Sequence, residues 1–274
     1  MNFYDWFFKE VGREPAGLFS FQHLFTVTLA LAIFITTAVI LGKKSKGNLK
    51  KQNRVLLITG IAIIVIQLSK NIYLLIETDN PLDCLIGNLP LYFCDIPIYM
   101  ILVAALTKGR FKEGCLDFLA ICGLLMGFMG NYFAGNLYPS HAIISFLTLN
   151  ALFNHCLSAF AAMFIWVADM NTMKKENIVI SVGILFSFMT LALTVDYIAL
   201  GVTGTPRNFM FFFHGDGTPF TLFHNLVQGN KIAYQVIIYV LQCGYMFAFY
   251  GVYYAIMRAL EKHKKAKAIQ AANS

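Results

Sequence analysis

A cysteine and an aspartate stand side by side in Leu89-Pro90-Leu91-Tyr92-Phe93-Cys94-Asp95, at the head of an apolar run that continues to Thr107. A thiol can attack an ester carbonyl and hold the acyl group as a thioester, which splits one difficult transfer into two easier steps. A thiol in apolar surroundings is inert unless a base is near. His155, by its position along its own apolar run, is the best-placed candidate for that base. Asn150, Asn154 and Tyr92 could supply the donor that steadies an oxyanion. Each has a plainer reading as well. Cys94 read alone is more readily a small apolar filler than a nucleophile, and His155 is as readily a buried histidine bonded to a helix neighbour as a base.

Other polar residues in or beside the apolar runs include His23, Lys70, Asn71, Asp95, Asn131, Asp196 and Asn208. Gln67, Lys70 and Asn71 are spaced i, i+3, i+4 and share one helix face, as Asn150 and Asn154 do at i, i+4. A charged group at membrane depth is costly and turns inward, to a partner or a watery cavity. The favoured reading of Lys70 and Asp95 is therefore a buried ion pair between two spans, which would punish removal of either partner. Asp196 has two expected outlets, Arg207 or water. His23 reads as a hydrogen-bonder at a helix start, and His141 as a surface residue. His214, Asp216 and His224 have no recognised ligand spacing, and the six cysteines show neither metal-ligand nor disulfide spacing. No metal and no cofactor is expected. A Gly-x-Ser-x-Gly elbow is absent, as is His-Glu-x-x-His. Gly215-Asp216-Gly217-Thr218-Pro219 reads as a turn.

The elements that must position these groups are helices in a bilayer. Of 274 residues 58% are hydrophobic and 13% charged, about half the charge of a soluble domain, where it is roughly 25%. Mean hydropathy is +0.65. The expectation is an all-α polytopic bundle of about seven transmembrane helices, each needing about 20 apolar residues. They fall near 20–41, 55–76, 90–107, 115–133, 142–167, 178–200 and 232–257. Residues 1–19 are expected to form an aromatic, interfacial N-terminal segment and not a signal peptide. Residues 20–257 form a single bundle, within which 201–231 is too apolar for a solvated loop and is expected to be re-entrant or interfacial. Residues 258–274 form a basic tail.

The net charge of +7 reports topology, not nucleic acid. Lysines and arginines crowd into 43–54, 108–112, 174–175 and the tail. The alternate segments hold only Lys9, Arg13, Arg207 and Lys231. The bias of basic residues to the inside places the N-terminus outside and the C-terminus inside. The polar residues then gather in the outer half, and the expectation is a pocket there lined by the first, second, third, fifth and sixth spans. Membrane lipids are the expected partners; the sequence carries no signal of oligomeric state.

Phe19-Ser20-Phe21-Gln22-His23-Leu24, the stretch 89–95, Asn154-His155, Asn208-Phe209-Met210-Phe211 and Gly217-Thr218-Pro219 together resemble the YwaF-like integral membrane proteins of bacteria. That family is similar to an animal membrane acyltransferase that remodels ether phospholipids, and more distantly to the androgen-induced membrane hydrolases. The resemblance implies a multi-pass protein of the bacterial plasma membrane. It also implies an acyl-carrying cysteine at Cys94 assisted by His155. Tyr92 departs from the His or Gln frequent in the family at that place. Two readings follow: a lipid acyltransferase or ester hydrolase, and a transporter or binder of a small polar ligand. A blander third is a structural or assembly protein. Contact between the Cys94 sulfur and a histidine is the geometric test between the first two.

Overall fold

The computed structural model describes residues 2–135, 137–215, 218 and 220–272, with side chains as far as His263. Asp216 and most of the turn at 215–219 lie outside the described residues. Apolar periodicity and caps set the elements. Among the described residues ten α-helices follow in order: α1 Phe3–Phe7, α2 Phe21–Ser45, α3 Leu49–Glu77, α4 Pro81–Gly87, α5 Ile96–Leu106, α6 Gly109–Tyr132, α7 Phe146–Val167, α8 Lys175–Thr203, α9 Phe220–Leu226 and α10 Lys231–Ala272. Ser20, Asn48, Asn80 and Ser145 accept backbone N–H groups at the starts of α2, α3, α4 and α7, satisfying donors that a helix leaves free.

Among the described residues six helices (α2, α3, α6, α7, α8, α10) are long and apolar enough to cross a membrane. The expected third span is shorter. Its apolar helix covers Phe93–Leu106, about 21 Å at the α-helical rise against a hydrocarbon core of about 30 Å. The reason lies in two prolines. Pro90 disfavours helix at the residue before it, and Pro97 belongs in a first turn. The chain stays extended at Tyr92, makes one 3₁₀ turn over Phe93–Asp95 and only then becomes α5. Cys94 and Asp95 therefore head a half-length helix.

On α3 the side chains of Ile58, Ile61, Val65, Leu68, Ile72 and Leu75 are exposed, while Leu56, Ile63 and Gln67 are buried. The first stripe faces outward as lipid contact would require. The second packs inward against α5 and α7.

The bundle is centred on α6 and α7, the pair in closest mutual contact. Gly123 and Gly127 form a small-residue seam on α6. A Cβ at Gly123 would meet the Ser158 carbonyl at 2.9 Å, and one at Gly127 the His155 carbonyl at 2.9 Å. Glycine here allows the backbones to approach, as in other membrane helix pairs. Gly127→Leu is expected to cost at least about 1–3 kcal/mol through overpacking; equilibrium unfolding in micelles, with Gly183→Leu as an uncrowded helical control, checks this.

Residues 2–20 pack on the end of the bundle formed by the C-terminus of α3 and the loop before α7. Ala16 and Gly17 donate backbone hydrogen bonds to the carbonyls of His141 and Tyr138 at 2.8 and 2.9 Å. Tyr73 donates to the Phe8 carbonyl at 2.7 Å. His141 is half-buried beside Glu10 at 2.7 Å, not the plain surface residue expected. Tyr4 donates to Glu77, and that bond pushes the phenol pKa up to about 12. The segment after α8 turns back into the bundle: Phe209, Met210 and Phe212 are completely buried, and Gln242 of α10 donates to the Met210 carbonyl at 3.1 Å.

Candidate functional site

Tyr92, at the end of the extended stretch, donates its backbone N–H to an Asp95 carboxylate oxygen at 3.0 Å. The other carboxylate oxygen faces the neighbouring thiol, with Cys94 Sγ to Asp95 Oδ1 at 3.9 Å, a long contact. Both residues are half-buried. They sit at the N-terminus of α5, where helical dipoles favour negative charge.

Lys70 stands opposite on the inward face of α3. Its ammonium is near enough to act electrostatically on Cys94, Asp95 and His155. The expected ion pair is nevertheless absent: among the described residues Lys70 forms neither an ion pair nor a hydrogen bond. Asp95 turns its carboxylate to its own backbone and to the thiol instead. That absence has a measurable consequence. Lys70→Met is expected to change unfolding free energy in micelles by no more than about 1 kcal/mol, whereas breaking a true buried pair costs about 3–5 kcal/mol.

A polar ladder joins α3 to α7. Gln67 donates to Asn71 at 3.1 Å and accepts from Asn154 at 3.1 Å. Asn150 donates to the Ile66 carbonyl at 2.7 Å and to Ser69 at 3.3 Å. These bonds use the amide nitrogens of α7. Asn150 Oδ1, Asn154 Oδ1 and His155 Nδ1 remain buried without a hydrogen-bond partner, which is unusual for native polar groups. The His155 ring lies against Gly130 of α6, where a Cβ would strike it. Lys70 is about 10 Å below the end of α3, and His155 about 14 Å below the start of α7, at helical rise. The two groups are thus nearly level.

The structure does not bring Cys94 and His155 into hydrogen-bonding contact. The thiol's partner is Asp95, and no histidine lies within hydrogen-bond reach of it among the described residues. His23 is placed apart. It is fully buried, its Nδ1 accepts from the Phe19 N–H at 3.0 Å, and its Nε2 lies 2.9 Å from the Asn131 carbonyl. A carbonyl only accepts, so the proton sits on Nε2. Both ring nitrogens are used, and His23 fixes the end of α6 on which His155 rests.

Asp196 is fully buried but does not pair with the Arg207 guanidinium. The backbone amides of Phe209, Arg207 and Asn208 surround it, that of Arg207 at 3.0 Å. Three residues of this loop, Asn208, Met210 and Phe211, hold positive φ of 59°, 52° and 66°, an uncommon and costly conformation outside glycine. Asn208 pins it by accepting from Phe213 and His214 N–H at 2.8 and 3.1 Å. The loop in turn holds Tyr92, whose hydroxyl donates to the Arg207 carbonyl at 3.3 Å. Sequence reasoning missed this tie, and it missed Gly130 and the Gly123/Gly127 seam, whose G-x-x-x-G spacing was the available signal.

Six long apolar helices around a buried polar ladder define a polytopic helical integral membrane protein. The chain belongs to the TMEM164 family, whose sequence profile matches residues 18–253. No curated protein and no solved structure matches it.

Proposed function

We propose that the protein transfers or hydrolyses acyl groups of membrane phospholipids through a thioester on Cys94. The observation that carries this reading is the half-buried thiol facing a carboxylate at the head of a half-length helix, with the Lys70 ammonium within electrostatic range. The likeness to the YwaF-like proteins and to the ether-phospholipid acyltransferase supports it.

In the first step the Cys94 proton passes to Asp95. The sulfur attacks the ester carbonyl, and the C–S bond forms. The oxyanion so created is drawn to the Lys70 ammonium, the kind of fixed charge that stabilises such intermediates most. Collapse breaks the ester C–O bond, and the leaving alkoxide takes the proton from Asp95. In the second step His155, whose Nδ1 has no partner, removes the proton of an acceptor hydroxyl or of water. The acceptor oxygen attacks the thioester and the C–S bond breaks; the thiolate regains a proton through Asp95, its hydrogen-bonding neighbour, from water, and His155 gives up its proton to water. Asp95 thus takes the role that spacing had given to histidine, and His155 serves the second half.

The test is acyl capture. Protein in lipid is incubated with an alkyne-tagged phospholipid ester, and label is mapped by mass spectrometry. Hydroxylamine-sensitive label on the Cys94 peptide is expected. Folded protein that stays unlabelled across several lipids would sink the reading.

One observation favours a second reading, a binder or transporter of a small polar ligand in the bacterial membrane: the thiol has no histidine within reach. In that case the open acceptors of α7 and Lys70 bind the ligand, and the acyl label never forms.

A further inference from the structure

Above the polar ladder lies a cleft of about 370 Å³, bordered by Leu74, Glu77, Asp83, Gly87, Asn88 and Arg207. Leu74 and Glu77 are four and seven residues beyond Lys70 on α3 and so share its face. The cleft therefore opens about 6 Å further along the face that carries Lys70. Cys94 is not part of its lining. Arg207 connects the two levels: its side chain enters the cleft, and its carbonyl accepts the Tyr92 hydroxyl, two residues before Cys94.

Arg207 is built as a receptor. Its side chain is 18% exposed, and its guanidinium pairs with Asp83, itself 41% exposed. Nη2 also donates to Thr203 at 3.3 Å. Nε is buried and has no acceptor. A guanidinium offers a planar fork of donors matched to carboxylate and phosphate oxygens. Here a single, half-exposed carboxylate occupies part of that fork and leaves one buried donor open. A phosphate ester carries charged oxygens that match the same fork and would compete with Asp83 for it.

We propose that this cleft binds a phosphate ester on Arg207, and that Asp83 competes with the ligand for the guanidinium. Resting on the acyl-transfer reading, the ligand is the headgroup phosphodiester of the lipid whose acyl chemistry occurs below. Arg207 is then a positioning residue: it touches the headgroup and holds Tyr92, but not the reacting carbonyl.

Binding is measured on the Cys94→Ala protein in micelles, so no acyl transfer is needed. Three probes are used: a lysophospholipid with a phosphodiester headgroup, an uncharged monoacylglycerol, and glycerol phosphate. Arg207→Gln is expected to weaken lysophospholipid binding about tenfold or more and to leave monoacylglycerol unchanged. Asp83→Asn, which only removes the competitor, is expected to tighten lysophospholipid binding several-fold. Glycerol phosphate binding as tightly as lysophospholipid would make the ligand a soluble phosphate ester and overturn the headgroup assignment. Equal loss of both lipids in Arg207→Gln, or weaker or unchanged binding in Asp83→Asn, would overturn the subsite. Acyl capture on Cys94 is unaffected by those outcomes, so the two ideas fail separately.

Discussion

Cys94→Ala protein should take up no hydroxylamine-sensitive label from a tagged phospholipid and should lose lipid turnover on the order of 10³-fold or more, the scale of losing a covalent nucleophile. The fold should survive. The side chain is half-buried, and truncating it removes one sulfur from the head of α5 without opening a central void. The associated stability loss should be about 1 kcal/mol, at the small end of core truncations. The bonds that shape the turn do not involve the sulfur: Tyr92 N–H to Asp95, and Tyr92 hydroxyl to the Arg207 carbonyl. Residual turnover within tenfold of wild type, in protein with unchanged melting, would remove the thioester from the mechanism. Cys84 lines the cleft beside Asn88, whose side chain donates to its sulfur at 3.4 Å, so label must be assigned to Cys94 by peptide and Cys84→Ala compared alongside.

The polar residues reached these positions by rules that a sequence displays only in part. Spacing placed Gln67, Lys70 and Asn71 on one face, and the structure turns that face toward Asn150 and Asn154. Hydropathy located six long helices because composition over about 20 residues is what a bilayer selects. The same measure counted 90–107 as a full span, since apolarity carries no information on where the backbone becomes helical. Pro90 and Pro97 carried that information. The Lys70–Asp95 pair was expected because two opposite charges in a bilayer should meet. It is absent because Asp95 finds a backbone N–H three residues before it, a local bond that costs less chain ordering than a long lysine reaching across helices. The same preference sends Asp196 to the amides of 207–209 and leaves the Arg207 guanidinium for Asp83. Long-range charge pairing is poorly legible because local backbone donors compete for every buried carboxylate.

His155→Gln should lower turnover by about 10²–10⁴-fold, the usual weight of a general base, while the label on Cys94 rises. The sign of the label change follows from the geometry. The thiol contacts Asp95, not a histidine, so in the proposed mechanism acylation is expected to proceed without the imidazole. His155 instead carries a buried Nδ1 that has no hydrogen-bond partner and packs toward Gly130, and in the proposed mechanism it serves the acceptor hydroxyl. Removing it blocks the second step alone, and the acyl-enzyme accumulates. A histidine that activated Cys94 directly would give the reverse, with label and turnover falling together as in Cys94→Ala. A time course of label on the two variants separates these cases, and Gly130→Ala offers an independent check. A methyl group at Gly130 would press on the His155 ring and displace it without altering its chemistry, so this variant should share the raised label of His155→Gln. Loss of label in Gly130→Ala, with the thiol and Asp95 untouched, would mean that the imidazole reaches Cys94 after a movement and that acylation depends on it.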